Sequence, residues 1–177
     1  MLFDFNWSCA AMPKSDPKPF SLPEALLAAF DTNERINQYL LENLPSEAWR
    51  AEPPHNKGRE IAAIVAHMHN VRVMWLKAAA KGSEIPEQLD RLKVTVPQAS
   101  KGLEQSRRAL SAVLKSALEN NGQVKGFKPD VAGFVGYLIA HDSHHRGQIC
   151  MLARQVGHPL PQKAMFGMWE WGSRGKP

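Results

Sequence analysis

The chain has 177 residues, 44% of them hydrophobic and 22% charged, and a formal net charge of +5. This is the composition of one globular domain with a proper core. The apolar runs are far too short for a membrane span, the basic residues form no stripe interleaved with aromatics of the kind that tracks nucleic acid, and two distant cysteines, Cys9 and Cys150, make neither a disulfide framework nor a Cys-rich zinc site.

Residues 1–20 hold three prolines and little periodicity. They are expected to be an extended or disordered leader before a single domain over 21–177. No secretory run is seen near the N-terminus, so a cytoplasmic protein with both cysteines reduced and unpaired is expected.

Ser21-Leu22-Pro23-Glu24 has the form of a helix start, with Ser21 able to accept from a first-turn amide, Glu24 able to reach back, and Pro23 tolerated early. The first helix is expected to run to about Asn43, with Leu26, Leu27, Phe30, Ile36, Leu40 and Leu41 on its buried side. Leu44 to Gly58 holds Pro45, Pro53 and Pro54 and must be a connection. A second helix, about Arg59 to Lys81, has a broad apolar face that includes Ile61, Ile64, Val65, Met68, Val71, Trp75 and Leu76, and Gly82 ends it. A third fits Pro97 to Asn120, and Asn120-Asn121-Gly122 is a strong stop. The fourth starts near Pro129-Asp130, ends at Gly157, and carries Phe134, Leu138, His141, His145, Ile149 and Leu152 at helical spacing. The tail after Pro161 holds Phe166, Trp169 and Trp171, expected to pack over the rest, with a substrate-stacking lid as the alternative. Four such helices with little strand alternation predict an all-α four-helix bundle, which places ligand sites between facing helices.

The most informative stretch is His141-Asp142-Ser143-His144-His145-Arg146-Gly147-Gln148-Ile149. On a helix, His141 and His145 stand one turn apart on one face. Two neutral imidazoles so placed suit a borderline divalent metal such as zinc, nickel or iron. A third ligand must come from elsewhere, and the second helix offers His67 and His69. These differ in direction by about 200°, so both cannot serve one ion. Both flank the apolar face, and the helical wheel does not choose between them. Arg72 lies near the same side, as a charge reaching a pocket or as a snorkelling side chain at its rim.

The motif HDSHHRGQI, continuing as Cys-Met-Leu-Ala-Arg-Gln-Val-Gly-His-Pro-Leu-Pro, resembles the DinB family and its YfiT-like relatives. The resemblance extends to Ile61-Ala-Ala-Ile-Val-Ala-His67 and to Trp-Glu-Trp at 169–171, covering about residues 22–172. It implies an up-up-down-down four-helix bundle that holds a metal by three histidines, here His67, His141 and His145. It also implies a tendency to form homodimers. Of function it implies less: some relatives transfer low-molecular-weight thiols, one branch isomerises maleylpyruvate with mycothiol, and others are labelled metal-dependent hydrolases.

A divalent metal on three neutral histidines can lower the pKa of bound water toward about 7, or keep a thiol as thiolate. A hydrolase would want a base nearby. Asp142 and Glu170 are the nearest acids in sequence, but Asp142 projects about 100° from His141 and suits a surface or helix-contact role. His144 points off the metal side. Gln148 shares the ligand face and can meet a substrate, orient a ligand or bridge the bundle. Arg146 is expected to pair with an acid, and Gly147 to permit close helix packing. A zincin reading of HDSHH as HExxH is disfavoured, because aspartate is one methylene shorter than the glutamate that reaches the water and no matching downstream ligand pattern is visible. The leading expectation is a metal-dependent enzyme on a small molecule, with thiol transfer favoured. Arg72 and Gln148 would lie nearest the substrate, and Trp169 and Trp171 would cover the mouth. A hydrolase and a non-catalytic metal-binding module are the alternatives.

Overall fold

The computed structural model describes residues 19–80 and 84–176. Four long helices form the body: α1 (Leu22–Asn43), α2 (Ile61–Ala79), α3 (Val96–Glu119) and α4 (Val131–Gln155); two short ones, α5 (Gln162–Gly167) and α6 (Trp171–Arg174), form the tail. No strand occurs among the described residues. Among the described residues no helix is long and apolar enough to cross a membrane. Residues 1–18 and Gly82, on which the leader and the stop of the second helix were expected, lie outside the described residues, as does Cys9. Cys150 is unpaired and half-buried.

Local chemistry sets the helix ends. Ser21 caps α1 by accepting from the Glu24 amide, and Pro23 sits in the first turn. Thr95 and Gln98 form a reciprocal capping box at α3. Asp130 accepts from the Gly133 amide at 2.9 Å to open α4. At its other end Gly157 has φ of +85°, and the amides of Gly157 and His158 donate to the carbonyls of Arg154 and Ala153. That is the Schellman pattern, which favours glycine at the left-handed position.

The contacts fix the helix directions. Arg72 of α2 meets Glu34 of α1, and Ala62 bonds back to Trp49 just beyond α1, so these two helices are antiparallel. The core groups Ile61 to Met68 with Ala99 and Leu103, and Leu76 with Leu110 and Leu114, so α2 and α3 run parallel. Phe30 shares one core cluster with Phe134 and Leu138, and Leu40 and Leu41 share the other with Ile149 and Ala153, which sets α4 parallel to α1. The order is therefore up-down-down-up, not the expected up-up-down-down. The link over 44–60 lets α2 fold straight back on α1, and the link over 80–95, of similar length, is the crossover.

The core has two apolar halves. One contains Leu40, Leu41, Ile61, Val65, Met68 and Ile149. The other contains Phe30, Leu76, Leu110, Leu114, Phe134 and Leu138. Between them lies a layer of buried polar side chains, among them Asn33, Glu34, Asn37, Arg72, Ser106 and Asp142.

Candidate metal centre

His141 and His145 project from one face of α4, one turn apart, toward His67 on α2. The ring centroids lie 4.5 Å apart for His141 and His145, 4.9 Å for His67 and His145, and 5.4 Å for His67 and His141. One ligand nitrogen from each comes within 4.8 Å of the other two, and no carboxylate or thiol joins the group among the described residues. The Nε2 atoms of His141 and His145 are 3.2 Å apart. Tetrahedral coordination with Zn–N bonds of about 2.0–2.1 Å would set neighbouring nitrogens about 3.3 Å apart. The three side chains thus form a cluster that could hold a metal ion.

The surroundings keep His67 and His145 neutral and aim the His145 ring. His145 Nδ1 lies 2.8 Å from Gln148 Oε1. An amide oxygen only accepts, so the proton is on Nδ1 and the Nε2 lone pair faces the cluster. Burial pushes the His145 pKa down, partly offset by that hydrogen bond. Burial, followed by the positive potentials of His145, Arg59, His141 and Arg91, lowers His67 to about 4. A neutral imidazole is the form that ligates. His145 is buried, whereas His67 and His141 are partly exposed, so the cluster opens toward solvent. The Tyr137 ring stacks beside His141 at 6.1 Å.

His69 points the other way and is fully buried. Its Nε2–H donates to the Glu87 carbonyl at 2.8 Å, and its Nδ1 lies 3.2 Å from the Ser106 hydroxyl. With both nitrogens engaged, it is not available to the cluster.

Arg72 neither reaches a pocket nor snorkels at its rim. It is 1% exposed, and its Nη2 lies 2.7 Å from both Glu34 Oε2 and Asp142 Oδ2. Burial works against the Asp142 charge, but Arg72 and the hydrogen bonds around it hold the carboxyl well below the ordinary range. Asp142 therefore takes the helix-contact role, with Asn33 and Asn37 donating to the same oxygen. Its other oxygen stands 3.8 Å from His141 Nδ1, so this network backs a cluster residue. The α1 members, Asn33, Glu34 and Asn37, were not foreseen. Their signal was polar residues standing in the apolar stripe between Phe30 and Leu40.

Among the described residues Arg146 makes no ion pair; it donates to the amide oxygens of Asn33 and Asn37 and to the Ser143 hydroxyl. Trp169 and Trp171 do not cover the histidines. They line a groove with Ser143, Gly147, Cys150 and Arg154, on the side of α4 away from His141 and His145. The tail follows the Schellman turn onto that side, where α5 and α6 contact α1.

No curated protein and no solved structure matches the chain significantly. The model of the DinB family matches residues 18–172, a span that includes all four long helices and the three clustered histidines, and the chain belongs to the DinB family.

Proposed function

We propose that His67, His141 and His145 hold a divalent transition metal, zinc, nickel or iron, and that the protein transfers a low-molecular-weight thiol to a small electrophile. The observation that carries this is the convergence of three imidazole nitrogens on one solvent-facing point with no acid among them. When bound, such a cation supplies Lewis acidity and stabilises sulfur as thiolate at neutral pH.

The residues around the cluster suit this chemistry. Gln148 fixes the His145 tautomer, and the charges of Arg59 and Arg91 reach His67 and would draw an anionic thiol. The thiol loses its proton to solvent, its sulfur forms the new bond to the electrophile, and the leaving group departs with the bonding pair. No carboxylate base is needed, and Asp142, the acid beside His141, is committed to Arg72. Metal-dependent hydrolysis is the second reading. It is favoured by the partial exposure of His67 and His141, which admits water.

The test is metal-loaded protein with monochlorobimane and a panel of small thiols. Conjugation should exceed the uncatalysed rate and return to it in His141→Ala. No acceleration, together with metal-dependent cleavage of simple esters or amides, would replace thiol transfer with hydrolysis. Inactivity in both assays with metal bound would leave a non-catalytic metal-binding module.

A further inference from the structure

The groove on the outer side of α4 has a volume of 580 Å³. It is separate from the metal centre, since none of His67, His141 and His145 lines it. Its walls are Met151, Met165, Met168, Trp169 and Trp171, with Cys150 between them. Met151 and Trp169 are 63% and 80% exposed. Apolar side chains that share one concave surface at this exposure mark a binding site more than scattered ones do. The volume falls in the range of small-molecule pockets, about 300–1,000 Å³.

Gly147 is the second observation. It lies in the interior of α4, where glycine costs about 1 kcal/mol relative to alanine. A Cβ built on it would meet nothing within 4 Å, so the close helix packing expected of it is absent. Its missing side chain instead leaves space along the groove that it lines.

The charge on the groove has one sign. Arg146 and Arg154 line it, and no acid does among the described residues. Arg146 is held by neutral oxygens of Asn33, Asn37 and Ser143. Glu34 and Asp142, whose charges reach it, are both bound to Arg72. Arg154 lies two turns along α4 from Arg146, at the groove's exposed edge.

From the groove's shape, its apolar walls and the arginines that line it without an acid among the described residues, we infer that it binds a small amphiphile with one carboxylate, its hydrocarbon body against Trp169, Trp171 and the methionines and its carboxylate at Arg154, with Arg146 adding positive charge. This site is independent of the metal and of the proposed thiol chemistry.

The experiment is isothermal titration of the full-length protein, with and without chelator, using decanoate and its uncharged isostere decanamide. Decanoate should bind one per chain, equally in both conditions, and more tightly than decanamide. Gly147→Phe, which fills the groove, should weaken both ligands at least tenfold. Met151→Glu, at an exposed position, should weaken decanoate more than decanamide and keeps the test valid if the Phe variant misfolds. Arg154→Gln should weaken decanoate several-fold and leave decanamide unchanged. Absence of decanoate binding up to millimolar concentration, or equal binding by wild type, Gly147→Phe and Met151→Glu, overturns the proposal. Equal affinity for acid and amide overturns the anionic ligand. A wild-type dimer in sedimentation that becomes monomeric in Met151→Glu would mean that a second copy covers the groove, and also overturns it.

Discussion

His67 and His69 sit two positions apart and share a residue type, yet their surroundings give them opposite roles. His67 faces two imidazoles and solvent; His69 is closed in by Ser106 and the Glu87 carbonyl. His67→Ala should therefore abolish bound metal in elemental analysis of untagged protein. His69→Ala should keep it but destabilise the fold by about 2–3 kcal/mol, the cost of an orphaned buried carbonyl and a partly collapsed cavity. Full metal occupancy in His67→Ala would sink the ligand assignment. Gln148 acts one atom further out. Gln148→Leu removes the acceptor that fixes the His145 tautomer, and should weaken metal affinity about 10–100-fold with little change in helicity. Sequence spacing alone paired His141 with His145, because four residues on a helix is a local relation. It did not separate His67 from His69, because that choice depends on what α3 and the crossover bring to each ring.

At the scale of elements, helix ends were legible and helix-to-helix polar contacts were not. Ser21, Asp130, Asn121 and Gly157 act within a few residues of themselves, so sequence suffices to place the stops and starts they make. The polar layer joins Glu34, Arg72 and Asp142 from three helices, and each residue alone resembles a surface charge. Arg72 therefore reads in sequence as a pocket or rim charge, although it is buried. Positions 30, 33, 34, 37, 40 and 41 follow the helical period, and the three polar members among them are buried with the apolar ones. The layer divides the core and fixes which turn of α1 meets which turn of α2 and α4. Asp142→Ala should cost about 3–5 kcal/mol, because it leaves the buried Arg72 guanidinium with Glu34 as its one carboxylate and takes the acceptor from the buried Asn33 and Asn37 amides. Replacing Glu34, Arg72 and Asp142 together with leucine, methionine and leucine should recover most of that loss in denaturant melts. A single Asp142→Ala no less stable than wild type would show that the layer carries little.

For the whole molecule, the four-helix bundle followed from periodicity, whereas the direction of its helices and the side taken by its tail depend on packing that no local pattern encodes. The same packing makes stability depend on pH in two separate windows. His67 is lowered from its ordinary value to about 4 by burial and by nearby positive charge, and burial also pushes His145 and His69 down. As pH falls below about 6.5, the unfolded chain takes up protons on these imidazoles while the folded chain does not. Their contribution is thus fully present above that pH and is lost progressively down to about 4. Asp142 has the opposite charge but the same sign of slope in a lower window: its carboxyl is held ionised by Arg72, so its contribution is lost only below the ordinary carboxylate pKa of about 4. Thermal melts of chelator-treated protein should fall in midpoint from pH 7 to 4.5, then fall further below pH 4. His67→Gln, which cannot take up a proton, should flatten the first decline and leave the second. Metal-loaded protein should melt higher at pH 7 and lose that advantage across the first window, because ligation needs neutral imidazoles. A midpoint unchanged between pH 7 and 4.5 in the chelated protein would contradict the assignment of neutral histidines.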